Sequence, residues 1–202
     1  MVLRKQSLLA GVVGLVLGAL VILGIRFVSY RPEHVHYHAN FAVYINGVRE
    51  EFKSPFYYEE IAGGGCNSSS TITPAERAHM HDHINSLVHV HDHAVTWGQF
   101  LQNLHWSTGS SYIKTLDGLY QADDQHTITY IINGRQTDDI STTVINDKDR
   151  LLIDYGNTSQ TDLQKEFASV PNNAHQYDIA KDPATCRGDK SPSASDRLKH
   201  LF

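Results

Sequence analysis

Nine histidines of this chain fall into three five-residue windows, each written H-x-H-x-H: His34, His36, His38; His79, His81, His83; and His89, His91, His93. On a β-strand, side chains at i, i+2 and i+4 project from one face, and neighbouring strands lie about 4.8 Å away. Imidazoles from adjacent strands can then converge on one ion at about 2.0 Å. The chemistry expected of such a grid is transition-metal ligation. All-imidazole sites suit Cu and Zn ions better than Mg or Ca, which prefer oxygen ligands. The central residues of the windows, His36, His81 and His91, are expected to be the best-placed ligands, with His34, His79 and His89 next. Asp82 and Asp92 each sit between two histidines and would serve as acceptors for an imidazole N–H if a strand bulges. His105, His126, His175 and His200 are isolated and read as structural or exposed.

The windows need strands to carry them. From His34 to Ile45 the sequence alternates strictly, with Val35, Tyr37, Ala39, Phe41, Val43 and Ile45 on one face and His34, His36, His38, Asn40, Ala42 and Tyr44 on the other. Val88 and Val90 give the third window a similar apolar face. The middle window is weaker, because Asp82 stands where an apolar residue should. The short gap Ile84–Val88 predicts that the second and third windows form a hairpin. Asn46-Gly47 and Asn133-Gly134 are hairpin signals, one after FAVYI and one after ITYII, and they suggest a repeated unit. A further hairpin is expected about Asp117-Gly118, and a short buried strand over Leu151 to Tyr155. Thr96 and Gln99 form a capping-box pair ahead of a short helix ending near Trp106, and a last helix is expected from Thr161 to before Pro171. The fold class is therefore α+β, a strand-rich domain of mostly antiparallel hairpins with two short helices, behind an N-terminal transmembrane helix.

That helix is read from residues 6 to 25, which hold no charged side chain. Twenty residues at about 1.5 Å each span a bilayer core of about 30 Å. The run is long for a cleaved signal peptide and no A-x-A-like site follows it, so an uncleaved anchor is preferred. Beyond Arg26 acidic residues outnumber basic ones, which favours a cell-membrane, single-pass protein with its C-terminal domain extracytoplasmic. The organisation expected is an anchor at 1–31, a His-rich metal-binding ectodomain at 32–171 with two similar hairpin-containing halves (32–106 and 107–171), and a polar C-terminal tail at 172–202. Ala10, Gly14 and Gly18 make a small-residue face on which a homo-oligomer or a membrane partner would pack; small residues are also simply common in membrane helices. Outside the cytoplasm, Cys66 and Cys186 are most simply one disulfide bond, the alternative being metal ligation.

The chain has 202 residues, with 17 Lys and Arg against 22 Asp and Glu, and its formal charge of −5 excludes a general nucleic-acid binder. The segments HYHANFAVYING, HMHDH, HVHDHAVTWGQFLQNLHW, DRLLIDYGN and YDIAKDPATC resemble a family of small membrane-anchored, His-rich ectodomain proteins from ultra-small candidate-phylum bacteria. The resemblance covers most of the ectodomain, with HVHDHAVTWG its most specific part. It implies a bacterial membrane protein with a His-rich outer domain and supplies no activity. In that family the windows are often H-x-H, which ranks His38, His83 and His93 behind the other six.

Three functions remain open on these residues. One is capture, buffering or transfer of copper or zinc ions. Another is a metalloenzyme with a His-ligated Zn or Cu centre. The third is a metal-stapled structural surface protein. No Ser-His-Asp pattern, P-loop or dinucleotide fingerprint marks a catalytic or cofactor-binding residue, and surplus ligands favour metal binding.

Overall fold

The computed structural model describes residues 2–30, 35–58, 73–179 and 193–201. They divide into two units, one of residues 1–33 with 187–202 and one of residues 34–186.

The first unit contains helix α1 (Val2–Ser29). Within it Leu9–Ser29 has mean hydropathy 2.4, is long and apolar enough to cross a membrane, and packs none of that surface inside the protein. Such a helix is either a signal sequence or a membrane anchor. The unit ends in a short helix (Ala194–Lys199) capped at Ser193. From it Arg197 donates to the carbonyls of Phe27 and Val28 at 2.7 and 2.9 Å. Those carbonyls belong to the last turn of α1, where a helix leaves acceptors unsatisfied and a cation is favoured.

The second unit is α+β, as the sequence predicts. Its main sheet joins β1 (Tyr37–Ile45), β2 (Val48–Arg49), β3 (Ala78–His79), β4 (Leu87–Val90), β8 (Thr127–Ile132), β9 (Arg135–Thr137) and β10 (Arg150–Gly156), in the order β3-β4-β1-β10-β8-β9 with β2 on β1. The strands β5 (Ser107–Gly109), β6 (Tyr112–Lys114) and β7 (Leu119–Gln121) form a small antiparallel sheet. Pairings are antiparallel except between β1 and β10, the two central strands, which run parallel. Both Asn-Gly hairpins form. Asn46 and Gly47, then Asn133 and Gly134, take positive φ, the conformation a two-residue turn demands between twisted strands. The expected turn at Asp117-Gly118 connects β6 to β7.

Apolar residues on the odd face of β1, namely Ala39, Phe41 and Val43, join Val88, Val90, Leu151 and Ile153 in the main core. Helix α3 (Trp97–Asn103) covers that core with Trp97, Phe100 and Leu101, and its N-terminus carries the expected Thr96–Gln99 capping box. The opposite face is also covered. Helix α4 (Gln160–Ser169) packs Leu163 against Ala42, Ile131 and Leu152. Its cap is Ser159 rather than Thr161, the Ser159 hydroxyl accepting from the Asp162 N–H. Two further short helices lie among the described residues, α2 (Pro74–Arg77) and α5 (Ala174–Ile179).

Helix α5 falls in the stretch expected to be polar tail. It is held by Asn40, whose amide accepts from the N–H groups of Asn173 and Ala174 at 3.0 and 2.9 Å and donates to Asn173 at 2.9 Å. A side chain on β1 thus satisfies the first donors of α5. The even face of β1 is consequently buried at His38, Asn40 and Ala42, and His38 is an interior group.

Candidate metal centre

The edge of the sheet brings the three histidine windows side by side. In the β1–β4 register His38 faces His89, and in the β3–β4 register His79 also faces His89. His38, His79, His81 and His89 are 0%, 6%, 3% and 2% exposed, while His36 and His91 lie half-buried next to them. Period-2 alternation puts Val88 and Val90 into the main core and His89 on the other face, so the strand geometry produces the cluster.

His36 stacks on His91 with ring centroids 4.7 Å apart, and His91 on His79 at 5.0 Å. His36 meets His38 edge-on at 4.6 Å, and His38 meets His89 at 4.4 Å. One ligand atom each from His36, His38 and His89 lies within 4.8 Å of the other two, so this three-His cluster can hold a metal ion. It is the one such group among the described residues. The middle of the patch is the His38–His89–His79 row rather than His36, His81 and His91, because the strand register decides which residues stand opposite each other.

Three imidazoles are oriented by oxygen acceptors. His38 Nδ1 donates to Asp178 Oδ1 at 2.7 Å, His81 Nδ1 to Asp82 Oδ2 at 2.8 Å, and His79 Nδ1 to the Ala75 carbonyl at 3.0 Å. Metal-ligating histidines commonly carry such a partner, which fixes the tautomer and leaves Nε2 with the lone pair. Burial pushes the Asp178 carboxyl up, but hydrogen bonds from His38 and Lys148 outweigh it and hold the group below the usual carboxylate range. Asp178 is therefore ionised, and Lys148 Nζ lies 3.3 Å from its second oxygen.

The remaining predicted ligands sit elsewhere. The middle window leaves the strand after His79, with Met80 in an isolated bridge to Tyr58 and both Asp82 and His83 at positive φ. Asp82 cannot occupy an apolar core face, and the turn that removes it from that face places its carboxylate on His81. The same turn exposes His83, which packs against the Tyr58 ring at 4.8 Å. His93 lies beyond the end of β4, exposed, with Ala94 in the left-handed region. Asp92 is engaged by Arg77 Nε at 2.9 Å and by the His93 N–H at 2.8 Å. Those bonds outweigh the burial that raises its carboxyl and hold it low. His34, Cys66 and Cys186 lie outside the described residues, so neither the first ligand of the grid nor the expected disulfide is part of this geometry.

Two contributors escape sequence reading. Asp178 reaches His38 from 140 residues away, and Lys148 reaches Asp178 from a loop before β10. No local pattern marks either one; Asn173, which seats α5 on Asn40, reads as ordinary polar tail.

A second polar feature lies farther along the same sheet face. Asp154 of β10 and Glu166 of α4 hydrogen-bond through their carboxyls, and Thr158 donates to Asp154 at 3.1 Å. Burial is the main cause that raises both groups, taking Glu166 to about 7. They therefore share a proton near neutral pH.

No protein-family model, curated protein or solved structure matches this chain.

Proposed function

We propose that this protein is a membrane-tethered metal-capture protein. Its α1 helix stays in the cell membrane as a single-pass anchor, its globular unit is extracytoplasmic, and the histidine patch binds copper or zinc ions for capture, buffering or transfer. The observation that carries the reading is the convergence of His36, His38 and His89 within 4.8 Å of one another. The ligand type supports copper or zinc, since imidazole suits these ions and an oxygen-poor set disfavours Mg and Ca. The carboxylate behind His38 supports it further, because such a partner raises ligand basicity. The acidic balance of the chain would concentrate cations near the site.

Equilibrium dialysis of the full chain in detergent against an equimolar mixture of Mg²⁺, Ca²⁺, Mn²⁺, Zn²⁺ and Cu²⁺ tests this. Retention of zinc or copper alone is expected, and the retained ion should be released on acidification because protons compete for the same lone pairs. Retention of none of the five ions contradicts the proposal.

A further inference from the structure

Three ring nitrogens meet inside the patch. His38 Nε2 lies 2.9 Å from His89 Nδ1, and His81 Nε2 lies 3.0 Å from the same atom. The outer two rings are fixed from behind, His38 by Asp178 and His81 by Asp82, through Nδ1–H bonds of 2.7 and 2.8 Å. With Nδ1–H given to the carboxyl oxygen behind it, each ring presents the lone pair of Nε2 toward His89. Two lone pairs therefore converge on His89 Nδ1. One hydrogen there must serve two acceptors, whereas a metal ion in its place would meet three nitrogen donors.

Bonds of about 2.0–2.1 Å at tetrahedral angles put ligand nitrogens roughly 3.3 Å apart, a few tenths of an ångström beyond the two separations at His89 Nδ1. His81 stands outside the group whose ligand atoms all lie within 4.8 Å of one another, so its ring must turn toward His36 and His38 for all four to meet one ion. His36 lies on the His38 and His89 side, its ligand atom within 4.8 Å of theirs.

Resting on the metal-capture reading, we propose that one ion is held by four imidazoles, His36, His38, His81 and His89, in a closed tetrahedral set. No position then remains for an activated water, which a catalytic zinc keeps and a structural or storage site does not. His81 is the ligand that separates the two cases: with it the centre holds and releases ions, and without it three imidazoles leave one position open. Asp82 positions His81 as Asp178 positions His38.

The test uses Co²⁺ as a spectroscopic probe of the full chain in detergent. The native chain with one equivalent of Co²⁺ should show the intense visible bands of a four-coordinate tetrahedral ion. In H81A the bands should weaken toward a five- or six-coordinate pattern. Affinity should fall by more than the 10–100-fold that loss of an outer-shell partner typically costs. D82N should keep the tetrahedral spectrum, with an affinity loss inside that range. His81 is buried, so far-UV circular dichroism of H81A and of the bulkier H81Q monitors folding. X-ray absorption of the zinc-loaded native chain counts ligands with no substitution at all. Four imidazoles support the inference; three imidazoles with an oxygen overturn it. A weak native cobalt spectrum, or a folded H81A with the native spectrum, also overturns it while metal capture stands. Failure of the native chain to bind Co²⁺, Zn²⁺ and Cu²⁺ removes both.

Discussion

The imidazole of His38, with no exposed surface, donates from Nδ1 to the carboxylate of Asp178 at 2.7 Å, joining the innermost strand of the histidine patch to a helix 140 residues later in the chain. The bond sets which nitrogen of His38 faces His89, and it gives α5 a part in the metal site.

Removing that carboxylate should weaken metal binding without removing a ligand. D178A is expected to lower zinc or copper affinity by about 10–100-fold, the usual cost of losing an outer-shell partner. D178N, which retains an acceptor without the charge, should fall between D178A and the native chain. Competition titration against a chelator of known affinity reads both. Native affinity in D178A would show that the tautomer of His38 is set by other groups.

His83 and His93 share the motif with the buried histidines but stand outside the patch. H83A and H93A should each bind zinc within about twofold of the native chain, whereas H89A should lose binding by well over the 10–100-fold outer-shell range. Isothermal titration of the three variants checks the contrast. A loss in H93A equal to that in H89A would place the site at the other end of β4.

The Asp154–Glu166 pair predicts how stability depends on pH. Burial and then the Asp154 charge raise the Glu166 carboxyl from 4.5 to about 7. A group whose pKa rises on folding holds its proton more tightly in the folded state, so its contribution is complete below 4.5 and is lost as pH climbs through about 7. The metal-free protein should therefore melt at progressively lower temperature between pH 5 and pH 8. E166Q, which cannot ionise, should flatten that slope. Parallel slopes for the two proteins would mean that the shared proton contributes nothing to docking of α4.

Gly98, in the first turn of α3, packs against the chain that precedes β10. A Cβ there would lie 2.3 Å from the carbonyl oxygen of Ser141 and 2.8 Å from its Cα, both backbone atoms. The same carbonyl accepts from the Thr96 hydroxyl at 3.0 Å. G98A should destabilise the globular unit by about 1–3 kcal/mol or more, as overpacking typically does. Metal affinity should be unchanged, because α3 covers the opposite face of the sheet. Urea unfolding with a parallel zinc titration measures both.

The tether makes its own prediction. If α1 is an anchor, the mature protein recovered from membranes retains residues 9–29, and protease added outside the cell removes the globular unit. A mature N-terminus between Ser29 and His34 would identify α1 as a cleaved signal sequence.

How far the sequence carries depends on the range of the interactions involved. The alternation from Val35 to Ile45, the two Asn-Gly turns and the Thr96–Gln99 box are set by neighbours within a few residues, and each forms as the spacing predicts. The histidine windows were equally legible as strands bearing imidazoles, except where Asp82 interrupts the middle one. The order of strands was not, because a parallel β1–β10 pair joins segments some 110 positions apart in register. That pairing makes β1 a central strand buried on both faces, which turns an apparently solvent-facing row of His38 and Asn40 into an interior one. Asp178 follows from the same event: only once Asn40 is interior does it need the α5 backbone as its partner.

The most direct measurement is isothermal titration of the full chain in detergent with Zn²⁺ and with Cu²⁺, beside the triple variant H36A/H38A/H89A verified as folded by circular dichroism and unfolding. The native chain should bind one ion at neutral pH and the variant none. No binding by the native chain, or equal binding by the folded triple variant, would contradict it.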